Sequence, residues 1–197
     1  MTNLRLLRNT PATIGIVGHS RSGKDTVAQR LVNEWDFTRF AFADPLRYFC
    51  DLLYPENAPP PFTPAWLEHW EGLKEADPVT IRRRLQDTGM SARKGISADV
   101  WVHALDAYIG RHPDVQRWVI PDVRLLNEAI YVNHTDTGYV WGVTRPGTAA
   151  DGHAAEAEID SIIETLVDIQ APVLRNDASI EELHEQVDAY AAWVLGE

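Results

Sequence analysis

Thr13–Thr26, TIGIVGHSRSGKDT, runs from a short β-branched apolar segment through a loop of Gly, Ser and Arg into a segment with helical spacing. Strand, glycine loop and helix in immediate succession dictate a βα unit, which admits few folds. Gly18, Gly23 and Lys24 satisfy the phosphate-loop pattern GxxxxGK[ST], but the next position is Asp25 and the hydroxyl arrives one residue late, at Thr26. Glycines at these places let the backbone wrap closely round an anion with successive N–H groups turned inward. The following helix presents its positive end to the same anion, and Lys24, read as exposed on the loop, would reach the outer phosphates of a nucleotide. The plain alternative is a glycine turn with a solvated lysine. The order of strand, loop and helix favours the anion site. Asp25 is either a helix N-terminal acid, favourable through the dipole alone, or an outer-shell group of a magnesium ion whose hydroxyl ligand is Thr26.

Downstream, apolar runs alternate with helical patterns. Val27, Leu31 and Trp35 recur at fourfold spacing over 24–35, one stripe of a helix. Residues 40–43 read as a short second strand, and 45–53 as a helix with Leu46, Phe49, Cys50 and Leu53 turned inward. PENAPPPFTP, within 54–64, breaks the pattern into a surface loop, since proline lacks an amide donor. Asp77-Pro78 has the form of a helix start and Gly89 that of its end; Ser97 or Asp99 caps a further helix through Tyr108, closed by Gly110. Strands are expected at 117–122, 139–143 and 172–174, with a helix over 125–132. Ser179-Ile-Glu-Glu182 is a capping box opening a last helix. Strands separated by helices imply an α/β fold, a parallel sheet covered on both faces.

Composition narrows the function classes. A chain of 197 residues suggests one domain, and 45% hydrophobic residues suffice for a sizeable core. The single cysteine, Cys50, excludes an internal disulfide and any site needing several thiolates, and its apolar setting marks it as a buried structural thiol. No segment reaches the roughly 18 apolar residues of a membrane span. The start, MTNLRLLRNT, lacks the apolar region of a secretion signal, so a cytoplasmic protein is expected. The formal net charge of −11 disfavours a long nucleic acid as partner and favours small anions held in a pocket.

Two further segments carry chemistry. WVIPDVR places Asp122 and Arg124 at the carboxyl end of a strand, where open α/β sheets bind ligands. Asp122 would contact magnesium through water and Arg124 would clamp a phosphate; a strand-end turn is the alternative. IRRRLQDTG sets Arg82, Arg83 and Arg84 side by side on one helix. Neighbours on a helix lie about 100° apart, so one or two face a cleft, gripping phosphate bidentately, while the rest meet solvent.

Together these segments resemble the bacteriophage-type deoxynucleoside monophosphate kinases. SGKDT at 22–26, FADPLR at 42–47, IRRRLQDTG at 81–89, VIPDVRLLNEA at 119–129, VTRPG at 143–147 with His153 and Glu156, and LRNDASIEEL at 174–183 are similar to that family's motifs, in the same order. The resemblance implies a three-layer α/β/α P-loop kinase fold with a five-stranded parallel sheet, an acceptor-binding insertion over about 44–110 and a short lid over about 145–160. It implies ATP as donor and Mg2+ as its ion. It assigns Gly18, Ser22, Gly23, Lys24, Asp25 and Thr26 to the donor phosphates and Asn176 to the neighbourhood of the adenine. Arg21, Lys24, Asp122, Arg124 and the lid's Arg145 fall near the transferred group, with Thr26 and Asp122 toward the metal. Asp44, Arg47, Arg82, Arg83 and Gln86 fall in the acceptor site. Met90, where a threonine is common, and a short proline-rich insertion depart from the family in the acceptor half. The implied partners are small-molecule nucleotides in a cytoplasm, the host's for a phage-encoded chain; a homodimer is compatible with this.

Other readings share some of these residues. A kinase for another small phosphorylated acceptor, such as phosphomevalonate, would need no pocket for a flat base; the aromatics Phe42, Tyr48, Phe49, Trp66 and Trp70 favour a base, though some of them must be core. A kinase for hydroxymethylated bases in DNA is disfavoured by the acidity. A nucleotide-binding regulator without turnover is the reading of another class, against which stand Lys24 and arginines from several segments.

Overall fold

The computed structural model describes residues 10–53, 58–148 and 154–196, the side chains of 154–157 excepted. The chain forms two compact units, one from the residues up to Ala41 together with those from Gly110 on, the other Phe42–Ile109. His153 and the side chain of Glu156, singled out in the sequence, lie outside the described residues, as do 54–57 of the proline loop.

The first unit holds β1 (Ala12–Val17), β2 (Thr38–Arg39), β3 (Arg117–Val123), β4 (Gly138–Thr144) and β5 (Val173–Arg175). They form one sheet in the order β2-β3-β1-β4-β5, every neighbouring pair parallel. This is the expected three-layer α/β/α arrangement. Helix α1 (Lys24–Trp35) and the C-terminal helix Ile180–Leu195 lie together on one face. Leu126–His134 and Ala154–Asp168 lie against the sheet and each other on the opposite face. β1, central and covered on both sides, is buried at every position, which is why it reads as a continuous apolar run. Its side chains Ile14 and Ile16 meet Val27 and Leu31 of α1 and Leu183 and Val187 of the last helix.

Two differences from the sequence reading concern this unit. The second strand is Thr38–Arg39, ahead of the expected 40–43; Phe40, Ala41 and Phe42 are buried, and that apolar run imitates a strand. Helix Ala154–Asp168, which the sequence reading left without an element, begins within the expected lid range and takes up its last part, 154–160.

In β3 the pairing with β1 slips between Gly15 and Val17, because Ile120 faces Gly15 but Val123 faces Val17. Pro121, which has no amide to donate, falls in this bulge. Bulges re-aim side chains, and here Asp122 is half-buried between buried Pro121 and Val123. The strand begins on Arg117, a buried cation that donates from Nε to the Thr10 carbonyl and from Nη1 to the Trp35 carbonyl.

Helix α1 is clamped to the last helix by Asp188, which accepts from Arg30 Nε at 3.0 Å, Arg30 Nη2 at 2.7 Å and Trp35 Nε1 at 2.8 Å. The Arg30 hydrogen bond holds the Asp188 carboxyl below its ordinary value of 3.8. A carboxylate depressed on folding stabilises the fold above its unfolded pKa, and that contribution vanishes as pH falls through the folded value. The gap in Tm between the native chain and Asp188→Asn should therefore be steady above pH 3.8 and close progressively below it. A gap indifferent to pH would dismiss the ion pair as its source.

The second unit is helical: α2 (Ala43–Leu53), α3 (Pro64–Ala76), α4 (Pro78–Gly95) and α5 (Val100–Ile109). α2 buries Asp44, Arg47 and Cys50, with Leu46 half-buried, whereas Phe49 and Leu53 are exposed. The expected apolar stripe is thus displaced by a buried ion pair. Cys50 is the buried thiol expected, and burial pushes its pKa up. α3 begins where only a loop was read: Thr63 accepts from the Trp66 N–H and Pro64 takes the first helical position. Its Trp66 and Trp70, a helical turn apart, are buried, and both indole N–H groups donate to Asp51 of α2, at 2.6 and 3.3 Å. α4 starts as expected on the Asp77 cap but runs through Gly89 to Gly95. Gly89 is a packing site rather than a terminator. A Cβ there would press on Leu46 at 3.2 Å, and its carbonyl accepts from Trp101 Nε1.

Candidate active site

β1 and β3 are adjacent, yet β1 leads into a helix on one face and β3 into a helix on the other. Ligands of such sheets bind where neighbouring connections diverge in this way, at the carboxyl ends of the strands. The loop Gly18–Gly23 stands at that place. Gly18 fits because a Cβ would collide with the Val143 carbonyl of β4. Gly23 has φ +107°, and a Cβ would fall 2.5 Å from Asn176 Nδ2. Arg21 also adopts a left-handed conformation, φ 65°, at a cost of about 1–2 kcal/mol for a residue with a side chain. Strain of this kind gathers at ligand sites.

Lys24, the first residue of α1, is buried rather than exposed on the loop. Its ammonium turns back and donates to the Gly18 and His19 carbonyls, each at 2.7 Å, which draws a cation into the loop's centre. Ser22 is fully buried, and its Oγ has no partner among the described residues. Asn176, in the turn after β5, donates from Nδ2 to the Ser22 carbonyl at 2.9 Å. Arg21 and Asp25 are exposed, and Thr26 is half-buried in the first turn of α1. His19 was not singled out in the sequence; its Nε2 lies 2.6 Å from Asp160 Oδ1, so the loop is tied to the helix Ala154–Asp168, which we label α7. Nothing in the local sequence signals a contact across so long a separation.

The same edge carries the strand-end pair. Asp122 is half-buried and Arg124 exposed. Their segment is fixed by Glu128 of α6 (Leu126–His134), a buried carboxylate that accepts from the Arg124 N–H at 2.9 Å and the Leu125 N–H at 3.1 Å. An acid at the third helical position reaching back in this way is one half of a capping box, a signal legible in RLLNE but unused above. Arg145 follows β4 directly, exposed, in a turn closed by the Thr148 N–H on its carbonyl. Thr26 and Asp122 supply hard oxygen donors suited to magnesium. Among the described residues no group of three His, Cys, Asp or Glu is gathered to hold an ion by itself.

In the helical unit Asp44 and Arg47 are brought together: Arg47 Nη1 donates to Asp44 Oδ1 at 2.7 Å, with both side chains nearly inaccessible. Arg47 Nη2 lies 3.5 Å from Glu71, and its buried Nε has no partner among the described residues. Arg82, Gln86 and Arg93 share one stripe of α4, flanking Gly89. Arg93 was missed in the sequence because it lies beyond the supposed helix end. Arg83 is on another face, 82% exposed and 3.5 Å from Asp87. Arg84 is half-buried and acts on Cys50 and Asp77. Of the aromatics weighed for a base, Phe42, Trp66 and Trp70 are the core ones. The accessible rings are others: Phe62 lies 5.5 Å from Tyr48 and 4.9 Å from Tyr108, centroid to centroid. Burial, with the Asp44 charge adding, pushes the Tyr108 hydroxyl up.

Among the described residues no helix is long and apolar enough to cross a membrane. No protein-family model matches the chain. Among solved structures it is similar to TT1252 from Thermus thermophilus, with 20% identity and a TM-score of 0.46 over 93% of this chain and 98% of that one. It is also similar to a dephospho-CoA kinase from Campylobacter jejuni, with 11% identity and a TM-score of 0.46 over 92% and 96% of the two chains. In sequence it is 30% identical over 194 aligned residues to a protein of Acanthamoeba polyphaga mimivirus named "putative deoxynucleotide monophosphate kinase". That alignment spans 88% of this chain and 93% of the relative. With this identity sustained over nearly the whole of both proteins, the chain belongs to the deoxynucleotide monophosphate kinase family.

Proposed function

We propose that the protein transfers the γ-phosphoryl group of ATP to a free deoxynucleoside 5′-monophosphate, giving the diphosphate and ADP. The observation that carries the acceptor is Arg47, a buried arginine whose Nε has no partner among the described residues, in a unit that also presents the packed rings of Tyr48, Phe62 and Tyr108. A guanidinium suits a phosphate and accessible rings suit a flat base. A kinase for a phosphorylated acceptor without a base has no use for the second. The name of the mimivirus relative supports the same class.

The proposed roles divide between the units. Phe42–Ile109 serves as the acceptor-binding insertion, with Asp44, Arg47, Arg82, Gln86 and Arg93, and residues 145–160 serve as the lid. The loop Gly18–Lys24 cradles the donor phosphates with backbone N–H groups at the positive end of α1. An oxygen of the acceptor phosphate forms the new P–O bond while the bond from the γ-phosphorus to the β–γ bridging oxygen breaks, leaving ADP. That oxygen is already anionic, so no strong general base is required, and catalysis is positioning and charge neutralisation. Lys24, Arg21, Arg124 and the lid's Arg145 neutralise the transferred group. A magnesium ion held through Thr26 and Asp122, when bound, adds further neutralisation of the phosphate oxygens. The reading implies a cytoplasmic enzyme acting on a pool of small nucleotides.

The test is ATP consumption, with magnesium, against each deoxynucleoside monophosphate, with phosphomevalonate and a hydroxymethyluracil-containing duplex alongside. Turnover with at least one deoxynucleotide is expected. Turnover only with phosphomevalonate or the duplex would overturn the acceptor, and none with any acceptor would favour the regulator.

The arginines of α4 should separate. Arg82→Ala should raise the acceptor KM about 10–100-fold, as for a lost charge-assisted hydrogen bond, and leave the KM for ATP near native. Arg83→Ala, on the face that leans on Asp87, should behave as native. Arg145→Ala should chiefly lower kcat. Equal effects at Arg82 and Arg83 in steady-state kinetics would reject the stripe.

A further inference from the structure

Asn176 joins the ends of three strands. Its backbone N–H donates to the Thr144 carbonyl, the last residue of β4, at 2.8 Å. Its side-chain amide donates to the Ser22 carbonyl, in the loop after β1, at 2.9 Å. Its own position, just after β5, is held from behind by Gln186 of α8 (Ile180–Leu195). Gln186 Oε1 accepts from the Arg175 N–H and its Nε2 donates to the Arg175 carbonyl, each at 2.9 Å. α8 is in turn capped by Ser179, whose Oγ accepts from the Glu182 N–H. The amide is therefore presented by a fixed turn.

Peptide geometry gives this contact a consequence. The Ser22–Gly23 peptide is planar and trans, so its carbonyl and the Gly23 N–H point in opposite directions. Holding the Ser22 oxygen against Asn176 turns the Gly23 N–H away from the β5–α8 turn and fixes the plane from which α1 departs. Gly23 tolerates many backbone conformations, and an unheld peptide there would rotate. The side-chain amide of Asn176 restricts it to one, at φ +107°.

We propose that Asn176 is a positioning residue of the donor site: it holds the Ser22–Gly23 peptide so that the N–H groups of Gly23 and Lys24 stay aimed at the donor's phosphates, and it does not read the donor's base. This rests on the nucleotide-kinase reading above and refines the expectation that Asn176 lies near the adenine. A group that aims the loop serves every triphosphate alike. A group that contacts adenine discriminates among bases and is indifferent to a ligand that has none.

The experiment compares the native chain with Asn176→Asp, which keeps the shape but sets an acceptor against the Ser22 carbonyl, and with Asn176→Ala, which removes the donor without adding charge. Thermal melting establishes that each variant folds. The readouts are kcat/KM with ATP, GTP, CTP and UTP as donors, and the inhibition constant of magnesium tripolyphosphate, which carries no base. The expected result is one common factor: every usable donor falls by about tenfold in Asn176→Asp, tripolyphosphate weakens by the same factor, and the order of donors is unchanged. A narrowed preference for ATP over GTP with tripolyphosphate unmoved would overturn the proposal in favour of base recognition. Native values in both folded variants would overturn it as well. A native chain that uses none of the donors would overturn the underlying kinase reading, and that failure is seen before any variant is compared.

Discussion

Lys24→Ala is expected to lower kcat by about 10²–10³-fold, the loss seen when a preorganised group facing developing charge is removed. The ammonium is buried and held by the Gly18 and His19 carbonyls, so the lysine is both a charge and a brace for the loop. Two consequences follow for the measurement. The variant leaves two carbonyls without that donor, so its affinity for ATP should weaken together with its rate. Lys24→Arg should not restore activity, since a planar guanidinium cannot occupy the place of a compact ammonium between the same two carbonyls. The core of the sheet lies elsewhere, in side chains such as Ile14, Val119 and Trp141, so the variant should keep its cooperative thermal transition. Near-native turnover in a folded Lys24→Ala would remove the loop from the chemistry.

Arg47→Ala is the substitution with the largest expected effect on stability. It takes from Asp44, which is 2% exposed, the guanidinium that donates to it at 2.7 Å, and leaves empty the space that group filled. Removing one partner of a buried pair typically costs about 3–5 kcal/mol. Urea denaturation should show that loss, and for any variant that stays folded the acceptor KM should rise. The double replacement Asp44→Asn with Arg47→Met should recover much of the stability, because the buried acid is neutralised along with the loss of its base, and should recover none of the acceptor affinity. A loss under about 1 kcal/mol in Arg47→Ala would mean that the pair is as weakly coupled as a surface salt bridge.

What the sequence made legible was local. The strand, loop and helix of Thr13–Trp35 are set by residues within one turn of each other, as are the Asp77 and Ser179 caps, and each stands where expected. Misreadings arose where a distant partner decides. Gly89 has the composition of a helix end but serves close packing by Leu46. The apolar spacing of α2 points Phe49 and Leu53 inward, yet the buried stripe is Asp44, Arg47 and Cys50, because the acid and the base satisfy each other. Which of the aromatics near the acceptor segment are core was not legible either: Trp66 and Trp70 are, because Asp51 accepts from both indoles. The site followed the same rule. Its glycines and Lys24 are named by the motif, whereas the contacts that aim the loop and the strand end, His19 with Asp160, Asn176 with Ser22 and Glu128 with the Arg124 N–H, are made by the fold.

The central claim is that phosphate moves from ATP onto the phosphate of a free deoxynucleotide. The most direct measurement is product identification: the native protein is mixed with magnesium and ATP labelled on the γ-phosphorus, together with an equimolar set of deoxynucleoside 5′-monophosphates, and the label is located by chromatography. The account predicts label on the β-phosphorus of one or more deoxynucleoside diphosphates, formed in step with ADP. Label recovered only as free inorganic phosphate, or remaining wholly on ATP, would contradict it.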